Sequence, residues 1–317
     1  MHLNPSLSTT SLLRDGLFLL LAVISGKKTL VFFRGWHRDI EQSINNSRIL
    51  RGVFRNVFTK ADALIVLSQE FCLTLRRWGL KNPVYIETTA VDDNLLYKAG
   101  DSSKSELSSP VKLLFLARME QEKGVETVLE SYSILLESGC TVTLTIAGDG
   151  PMLNTARDYV EEHDLHGVRF AGHVTGLKKA EVFHNSDIYL FPSFHGEGMP
   201  NSVLEAMACG LPVVTRKVGG LSDFFMNGKM GYMTDSTDPK VFAELTAKLI
   251  NEPKRISSIS RFNARFAKVH FLSYRVAERL EKIHEDILND NAADSEWMPN
   301  ADARSFVYMH DSNAEAH

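Results

Sequence analysis

The sequence predicts an α/β protein in which strands and helices alternate in two successive blocks, each forming a doubly wound parallel sheet. Short apolar runs have the length of buried strands, apolar residues between them recur at helical spacing, and glycine-rich turns follow several runs. At 317 residues the chain has room for two domains, each with its own core. Its composition, 44% hydrophobic and 23% charged, is that of an ordinary globular protein.

The first block contains two apolar strand candidates, residues 29–33 and 63–67, and a weaker one at 84–88. Residues 49–59 and 69–78 show the apolar spacing of helices. A polar, serine-rich stretch without periodicity then follows at 101–110, and we place the domain boundary there.

The second block repeats the alternation more regularly. Its last helix is followed by a polar, acidic segment without periodicity, for which we expect no stable structure. The expected strands are 111–117, 141–147, 168–171, 188–191 and 212–215, and the expected helices are 124–137, one ending near 162, 202–208, 238–251 and 276–288. The predicted units are a first domain at 1–106, a second at 107–270, a helix at 271–288 returning toward the first domain, and a tail at 289–317.

The longest apolar run, residues 17–24, is far shorter than the ~20 residues that span a bilayer. Two interpretations are open: the core of a signal peptide, since Arg14 precedes it, and a buried helix. Asp15 beside the run, and the two lysines that follow it, favour the helix.

Charge is distributed unevenly along the chain. Residues 1–60 carry nine Lys and Arg against three acids, a net of +6, whereas the whole chain carries −4. Such a segment is typical of a surface that meets anionic lipid or a phosphate-bearing acceptor, and equally of a solvated face without a partner. The three cysteines lack metal-ligand spacing and are interpreted as reduced thiols of a cytosolic protein.

Cations follow the first strand of the second block. Arg118 comes directly after it, and Lys123 precedes the next helix, so side-chain charge and helix amides would form an anion site together. The turn Gly148-Asp149-Gly150 lacks the third glycine of a dinucleotide fingerprint, which argues against a nicotinamide enzyme.

Two carboxylates flank a third strand end. Glu197 lies in a glycine-bearing loop and Glu205 one turn into the following helix, so both are expected to face the same crevice. Each could accept hydroxyl donors from a ribose or sugar ring. A hydrolase with an acid/base pair is the alternative, but it leaves Arg118 and Lys123 unexplained.

The ordered series of these motifs resembles family 4 glycosyltransferases over roughly residues 111–235. The motifs are Arg118…Lys123, Gly148-Asp-Gly-Pro151, Phe170-x-Gly172-x-Val174, Glu197-x7-Glu205, Ala206-Met-Ala-Cys-Gly-Leu-Pro-Val-Val214 and Val218-Gly-Gly220.

The resemblance implies a GT-B architecture, two Rossmann-like domains with the donor bound mainly to the second, and transfer with retention. It implies that Arg118 and Lys123 hold the donor pyrophosphate, that Glu205 holds the ribose and that Glu197 holds the transferred sugar. Further donor contacts are implied for Gly172, His173, Val174, Gly198, Met199 and Asn201. No metal and no cofactor are implied.

The first domain departs from the family pattern, because no opening strand with a glycine-rich loop is present. By comparison its start is expected to be missing, with the N-terminal domain incomplete. Arg34 takes the place of an acceptor-side histidine, so Arg34 and His37 are candidate acceptor contacts, although a solvated arginine and a structural histidine would look the same. His195 is a further candidate for a ligand contact.

Two functional hypotheses follow. The first is an enzyme that moves a sugar from a nucleotide-diphosphate sugar to a glycan or lipid-linked acceptor, in cell-surface polysaccharide or lipopolysaccharide synthesis. It would act in the cytoplasm or on the inner face of the membrane, in contact with anionic lipid and with no nucleic acid. The second is a truncated, catalytically impaired nucleotide-sugar-binding or assembly protein.

Overall fold

The computed structural model describes residues 1–96, 107–194 and 196–296. Its first domain is a five-stranded parallel sheet in the order β1-β3-β5-β6-β13, beside a small parallel pair, β2 and β4. The elements are β1 His2–Leu3, β2 Ser6–Leu7, α1 Thr9–Ile24, β3 Leu30–Phe32, β4 Gly35–Trp36, α2 Arg38–Asn46, α3 Arg48–Phe58, β5 Ala63–Val66, α4 Gln69–Arg77, β6 Val84–Ile86 and a 3-10 turn at Asp93–Leu96, with β13 Ser295–Glu296 contributed from much later in the chain.

The second domain is a six-stranded parallel sheet in the order β12-β11-β10-β7-β8-β9, with helices on both faces. Its elements are β7 Val111–Leu116, a 3-10 turn at Gln121–Lys123, α5 Val125–Glu137, β8 Val142–Ala147, α6 Leu153–Glu162, β9 Val168–Gly172, α7 Gly176–His184, β10 Ile188–Phe191, α8 Asn201–Ala208, β11 Val213–Arg216, α9 Leu221–Phe224, β12 Gly231–Thr234, α10 Pro239–Asn251, α11 Pro253–His270 and α12 Ser273–Leu288.

Every strand predicted in the two blocks is present, which confirms the α/β class. The sequence did not predict the helices α2, α7, α9 and α11 or the strands β1, β2, β4, β12 and β13. Part of the predicted linker, residues 101–106, lies outside the described residues, as does the predicted tail from residue 297 onward.

Two apolar clusters form the core. One lies between the second sheet and α5, α6 and α10. The other runs without interruption from the first sheet to α7, α8, α9 and α11, so it joins the two domains. Phe32 and Leu64 of the first sheet and Tyr189 and Leu204 of the second domain belong to this shared cluster. Buried apolar area therefore contributes to holding the two domains together.

The apolar run 17–24 is helical, as one interpretation expected, but half of its residues are exposed. Leu19 and Ala22 pack into the core, whereas Leu17, Leu21 and Ile24 are exposed. No helix in the described part of the chain is long and apolar enough to cross a bilayer.

The C-terminal helix α12 lies against the first domain through a buried ion pair. The Arg279 guanidinium donates to both carboxylate oxygens of Glu87, at 2.9–3.1 Å, and to the carbonyl of His270. Burial raises the pKa of Glu87, and Arg279 opposes that rise.

The prediction of a structureless tail from residue 289 is wrong for residues 289–296. Asp294 accepts a hydrogen bond from the Val84 amide at 2.9 Å and forms an ion pair with Arg76, and β13 then pairs with β6. The polar composition that suggested disorder is explained by these contacts, since the segment is held by hydrogen bonds and charge.

We expect Arg279→Met to destabilise the protein by about 3 kcal/mol, because it leaves the buried Glu87 carboxylate without its cation. The double variant Glu87→Gln/Arg279→Met should recover part of this loss, since no charge then remains buried. Urea unfolding of both variants tests the expectation. Equal stabilities of the wild type and Arg279→Met would contradict it.

Candidate functional site

The first component of the site is a turn that presents Lys123. The 3-10 turn at Gln121–Lys123 is followed by Gly124 in a left-handed conformation (φ +79°). A Cβ at Gly124 would also lie 2.9 Å from Pro192 Cγ, so glycine is required for handedness and for space. The amide of Phe194 donates to the Glu122 carbonyl at 2.9 Å, which holds this turn against the loop after β10.

Lys123 is almost fully buried and forms an ion pair with Glu197 of that loop. The Ser193 hydroxyl donates to the same carboxylate oxygen of Glu197 at 3.2 Å. Lys123 and Glu197, which the sequence predicted to belong to one site, therefore contact each other directly.

Glu205 forms a second pair of the same kind. It lies one turn into α8, is buried, and accepts a hydrogen bond from Lys179 Nζ at 2.5 Å. Burial raises the pKa of the Glu205 carboxyl, the Lys179 ammonium opposes this, and the Asp92 carboxylate of the first domain adds to the rise. Lys179 thus opposes the tendency of burial to neutralise the Glu205 carboxyl.

Arg118 lies at the mouth of the same cavity, with its side chain 71% exposed and 2.9 Å from Glu120. The cavity has a volume of about 510 Å³, which suits a ligand the size of a small cofactor. Its polar lining comprises Arg118, Lys123, Asp149, His173, Thr175, Lys179, Glu197, Asn201, Ser202 and Glu205, and its apolar lining includes Val174, Phe191, Met199 and Pro200.

The cavity thus collects eight of the predicted donor-side residues, and two others lie outside its lining. Gly172 ends β9 just before His173. Gly198 packs against the first domain, where an added Cβ would lie 2.8 Å from the Arg34 carbonyl oxygen and from Leu67 Cδ1. His195, from the same loop, lies outside the described residues.

The predicted acceptor-side residues lie in the first domain, in the segment whose backbone packs against this loop. The Arg34 guanidinium stacks 3.9 Å above the Phe32 ring, and its Nε donates to Asn4 Oδ1 at 3.2 Å. His37 is exposed at the start of α2. Neither belongs to the 510 Å³ cavity lining, so these residues and the predicted donor site form different parts of one cleft.

Lys179 was not predicted from the sequence, because helix α7 was not recognised. Two signals could have revealed that helix: Thr175 at the capping position, and Ala180 and Phe183 at helical spacing, both buried. With α7 placed, Lys179 faces Glu205.

The arrangement offers anion-binding and hydroxyl-binding groups side by side. Cations and the amino end of α8 can hold phosphate, and two ionised carboxylates can accept hydrogen bonds from hydroxyl groups. Among the described residues, no group of three or more His, Cys, Asp or Glu has the arrangement of a metal site.

Comparison with known sequences identifies one family. The model for "Glycosyl transferases group 1" matches residues 101–266, just over half of the chain. Among curated relatives, the capsular polysaccharide biosynthesis glycosyltransferase CapM of Staphylococcus aureus is 26% identical over 227 residues, covering 71% of this chain and 58% of CapM. The putative colanic acid biosynthesis glycosyltransferase WcaL of Escherichia coli is 24% identical over 253 residues, covering 78% of this chain and 59% of WcaL. The chain thus spans about three fifths of the length of these relatives.

Several solved structures superpose on this chain and share its fold. Sucrose-phosphate synthase from Thermosynechococcus elongatus superposes with a TM-score of 0.72 at 18% identity, covering 91% of this chain and 73% of that one. Anabaena HepE in complex with UDP and glucose gives a TM-score of 0.68 at 17% identity, covering 88% and 76%. The predicted fold, GT-B with two Rossmann-like domains, is confirmed.

We expect Lys179→Met to raise the pKa of Glu205 further, because it removes the cation that opposes the effect of burial. As the pH falls, Glu205 should then become protonated at a higher pH than in the wild type. Carbon NMR titration of the Glu205 carboxyl measures this. Lys179→Arg should keep the wild-type titration, and so should Lys178→Met, which changes the exposed neighbouring lysine. An unchanged titration in Lys179→Met would refute the role.

Proposed function

Since the chain belongs to the glycosyl transferases group 1 family, we propose that it moves a sugar from a nucleotide-diphosphate sugar to a glycan or lipid-linked acceptor. This proposal rests mainly on one observation: Arg118 and Lys123 line the same cavity as Glu197 and Glu205. A nucleotide-diphosphate sugar has the complementary groups, two phosphates and two sets of ring hydroxyls.

Arg118 and Lys123 would bind the diphosphate, helped by the amides at the amino end of α8 near Asn201. Glu205 would accept hydrogen bonds from the ribose hydroxyls, and Glu197 from the hydroxyls of the transferred sugar. Further donor contacts are proposed for the base beside Gly172, His173 and Val174, and for the sugar and phosphate near Gly198 and Met199.

Donor binding would exchange partners within the ion pairs. Lys123 is paired with Glu197, and Arg118 is paired with Glu120. Phosphate oxygens of the donor would take the place of Glu120 as the partner of Arg118 and of Glu197 as the partner of Lys123. Hydroxyl groups of the sugar would then take the place of Lys123 as the partner of Glu197. The cations then stabilise the negative charge that develops on the leaving diphosphate.

We propose family 4 chemistry with retention for the transfer step. The bond between the anomeric carbon and the diphosphate oxygen breaks, and the acceptor oxygen forms a bond to the same face of that carbon. The acceptor proton passes to the leaving phosphate, so no additional base is needed. Charge stabilisation by Arg118 and Lys123 supports a reaction that needs neither a metal nor a cofactor.

The relatives suggest where such a reaction belongs. CapM and WcaL are named for capsular polysaccharide and colanic acid biosynthesis, so we propose a role in cell-surface polysaccharide or lipopolysaccharide synthesis, in the cytoplasm. The HepE complex contains UDP and glucose, which makes UDP-hexoses the first donors to test. Arg34 and His37, which lie outside the cavity lining, are proposed to contact the acceptor.

The direct test is incubation with a panel of UDP- and GDP-sugars, followed by detection of the released nucleoside diphosphate and calorimetry of donor binding. Binding and turnover are expected, and a chelator should leave the rate unchanged. Failure to bind any donor would overturn the proposal. Binding without transfer to any acceptor tested would favour a nucleotide-sugar-binding protein instead.

Two variants should separate binding from chemistry. Glu205→Ala should weaken nucleoside diphosphate binding by roughly tenfold or more, since the ribose hydroxyls lose a charged acceptor. Lys123→Ala should mainly lower kcat, by about a hundredfold, since its cation acts on charge that develops in the transition state. Calorimetry gives the first effect and steady-state kinetics the second. Identical kinetic profiles for both variants would contradict the assigned roles.

A further inference from the structure

The first domain carries a concentrated exposed apolar surface. Eight of the fifteen exposed large apolar side chains in the described chain belong to α1 and α3. They are Leu13, Leu17, Phe18, Leu21 and Ile24 on α1, and Ile49, Leu50 and Val53 on α3. We call this set the α1–α3 ridge.

The ridge is continuous because the two helices pack side by side. They connect consecutive parallel strands, β1 to β3 and β3 to β5, and right-handed connections place both on one face of the sheet. Gly16 of α1 meets Val57 of α3, since an added Cβ would lie 3.3 Å from Val57 Cγ1. Val53 and Ile49 precede Val57 by four and eight residues, so they extend the stripe along this seam.

Basic side chains lie on and beside the two helices of the ridge. Arg48 and Arg55 lie on α3, and Lys27 and Lys60 lie just beyond the ends of α1 and α3. All four are exposed, and none forms an ion pair with a described residue. Asp15 is the single acid of the two helices, and it is buried.

We propose that the α1–α3 ridge docks this protein on an anionic membrane surface. Apolar side chains inserting at the headgroup boundary, within a rim of Lys and Arg, match the chemistry of such a surface. A large exposed apolar patch on a soluble domain normally marks an interaction site. This inference adds a docking surface to the proposed function and is tested without donor or acceptor, so each can fail separately.

Charge argues against a second copy of the chain as the occupant. Two ridges placed face to face would bring their basic rims together, and like charges in an interface oppose association. An anionic lipid surface is attracted by the same charges, and it does not need a shape complementary to the ridge.

The ridge also begins near the cleft. Helices that follow parallel strands start at the carboxyl edge of the sheet, which is the edge that faces the cleft. The amino end of α1, close to Leu13, therefore lies toward the cleft. A protein docked through the ridge would hold its cleft beside the membrane, within reach of a lipid-linked acceptor.

Vesicle flotation of the full chain tests the proposal, using phosphatidylcholine vesicles with and without phosphatidylglycerol. Binding should require phosphatidylglycerol and should weaken in high salt, where charge is screened. Leu17→Ser/Leu21→Ser should reduce binding by about tenfold or more. Arg48→Glu/Arg55→Glu should reduce it by at least about fivefold per charge removed.

Matched controls change comparable exposed side chains elsewhere. Leu177→Ser/Leu288→Ser and Lys229→Glu/Lys254→Glu should bind vesicles as the wild type does. All substitutions are on the surface, so an unchanged thermal melting temperature verifies that each variant is folded. The proposal is overturned if the wild type does not bind phosphatidylglycerol vesicles, or if ridge and control variants bind equally. It is also overturned if light scattering shows a dimer that Leu17→Ser/Leu21→Ser dissociates while vesicle binding persists.

Discussion

The cleft depends on a close backbone contact between the two domains, which only glycine permits. A Cβ at Gly220 would lie 2.1 Å from the Leu67 carbonyl oxygen, and one at Gly196 would lie 2.8 Å from the Trp36 carbonyl oxygen. A Cβ at Gly198 would likewise lie 2.8 Å from the Arg34 carbonyl oxygen. The loop that carries Glu197 is thereby fixed between the first domain and the second sheet. The distance between the two sides of the cleft is set by backbone atoms, which cannot adjust by changing rotamer.

Within this frame, the charged groups of the cavity are arranged as ion pairs. Lys123 with Glu197, and Lys179 with Glu205, each combine a largely buried cation and anion whose separation would be costly without a substitute partner. The pairs therefore place two lysines and two carboxyl groups side by side in a partly desolvated cavity. A ligand with both anionic and hydroxyl groups can satisfy both members of each pair, whereas a purely anionic or purely neutral ligand leaves one member unsatisfied.

Much of this structure could be predicted from the sequence because it rests on local patterns. Strands such as Ala63–Val66 are continuous apolar runs, and motif spacing brought Arg118, Lys123, Glu197 and Glu205 to one sheet edge. Lys179 could not be found while α7 went unrecognised, because its partner Glu205 is distant in sequence. The exposed face of α1 was equally hidden, since apolar content alone does not tell which side of a helix has a neighbour. Residues 289–296 were misjudged because polar segments held by ion pairs and hydrogen bonds have the composition of disordered ones.

Strands from the two ends of the described chain form opposite edges of one sheet, which affects the order in which the first domain can fold. The first sheet is bounded by β1 near residue 2 and by β13 at Ser295–Glu296, and Glu87 receives its counter-ion from Arg279. A ribosome releases the chain from its amino end, so the first domain emerges long before the strand and the cation that complete it. Until α12 arrives, Glu87 and the β6 edge have no partner from that helix or from β13. Folding of the first domain is then completed only late in translation, and the nascent chain presents an open sheet edge to chaperones in the meantime.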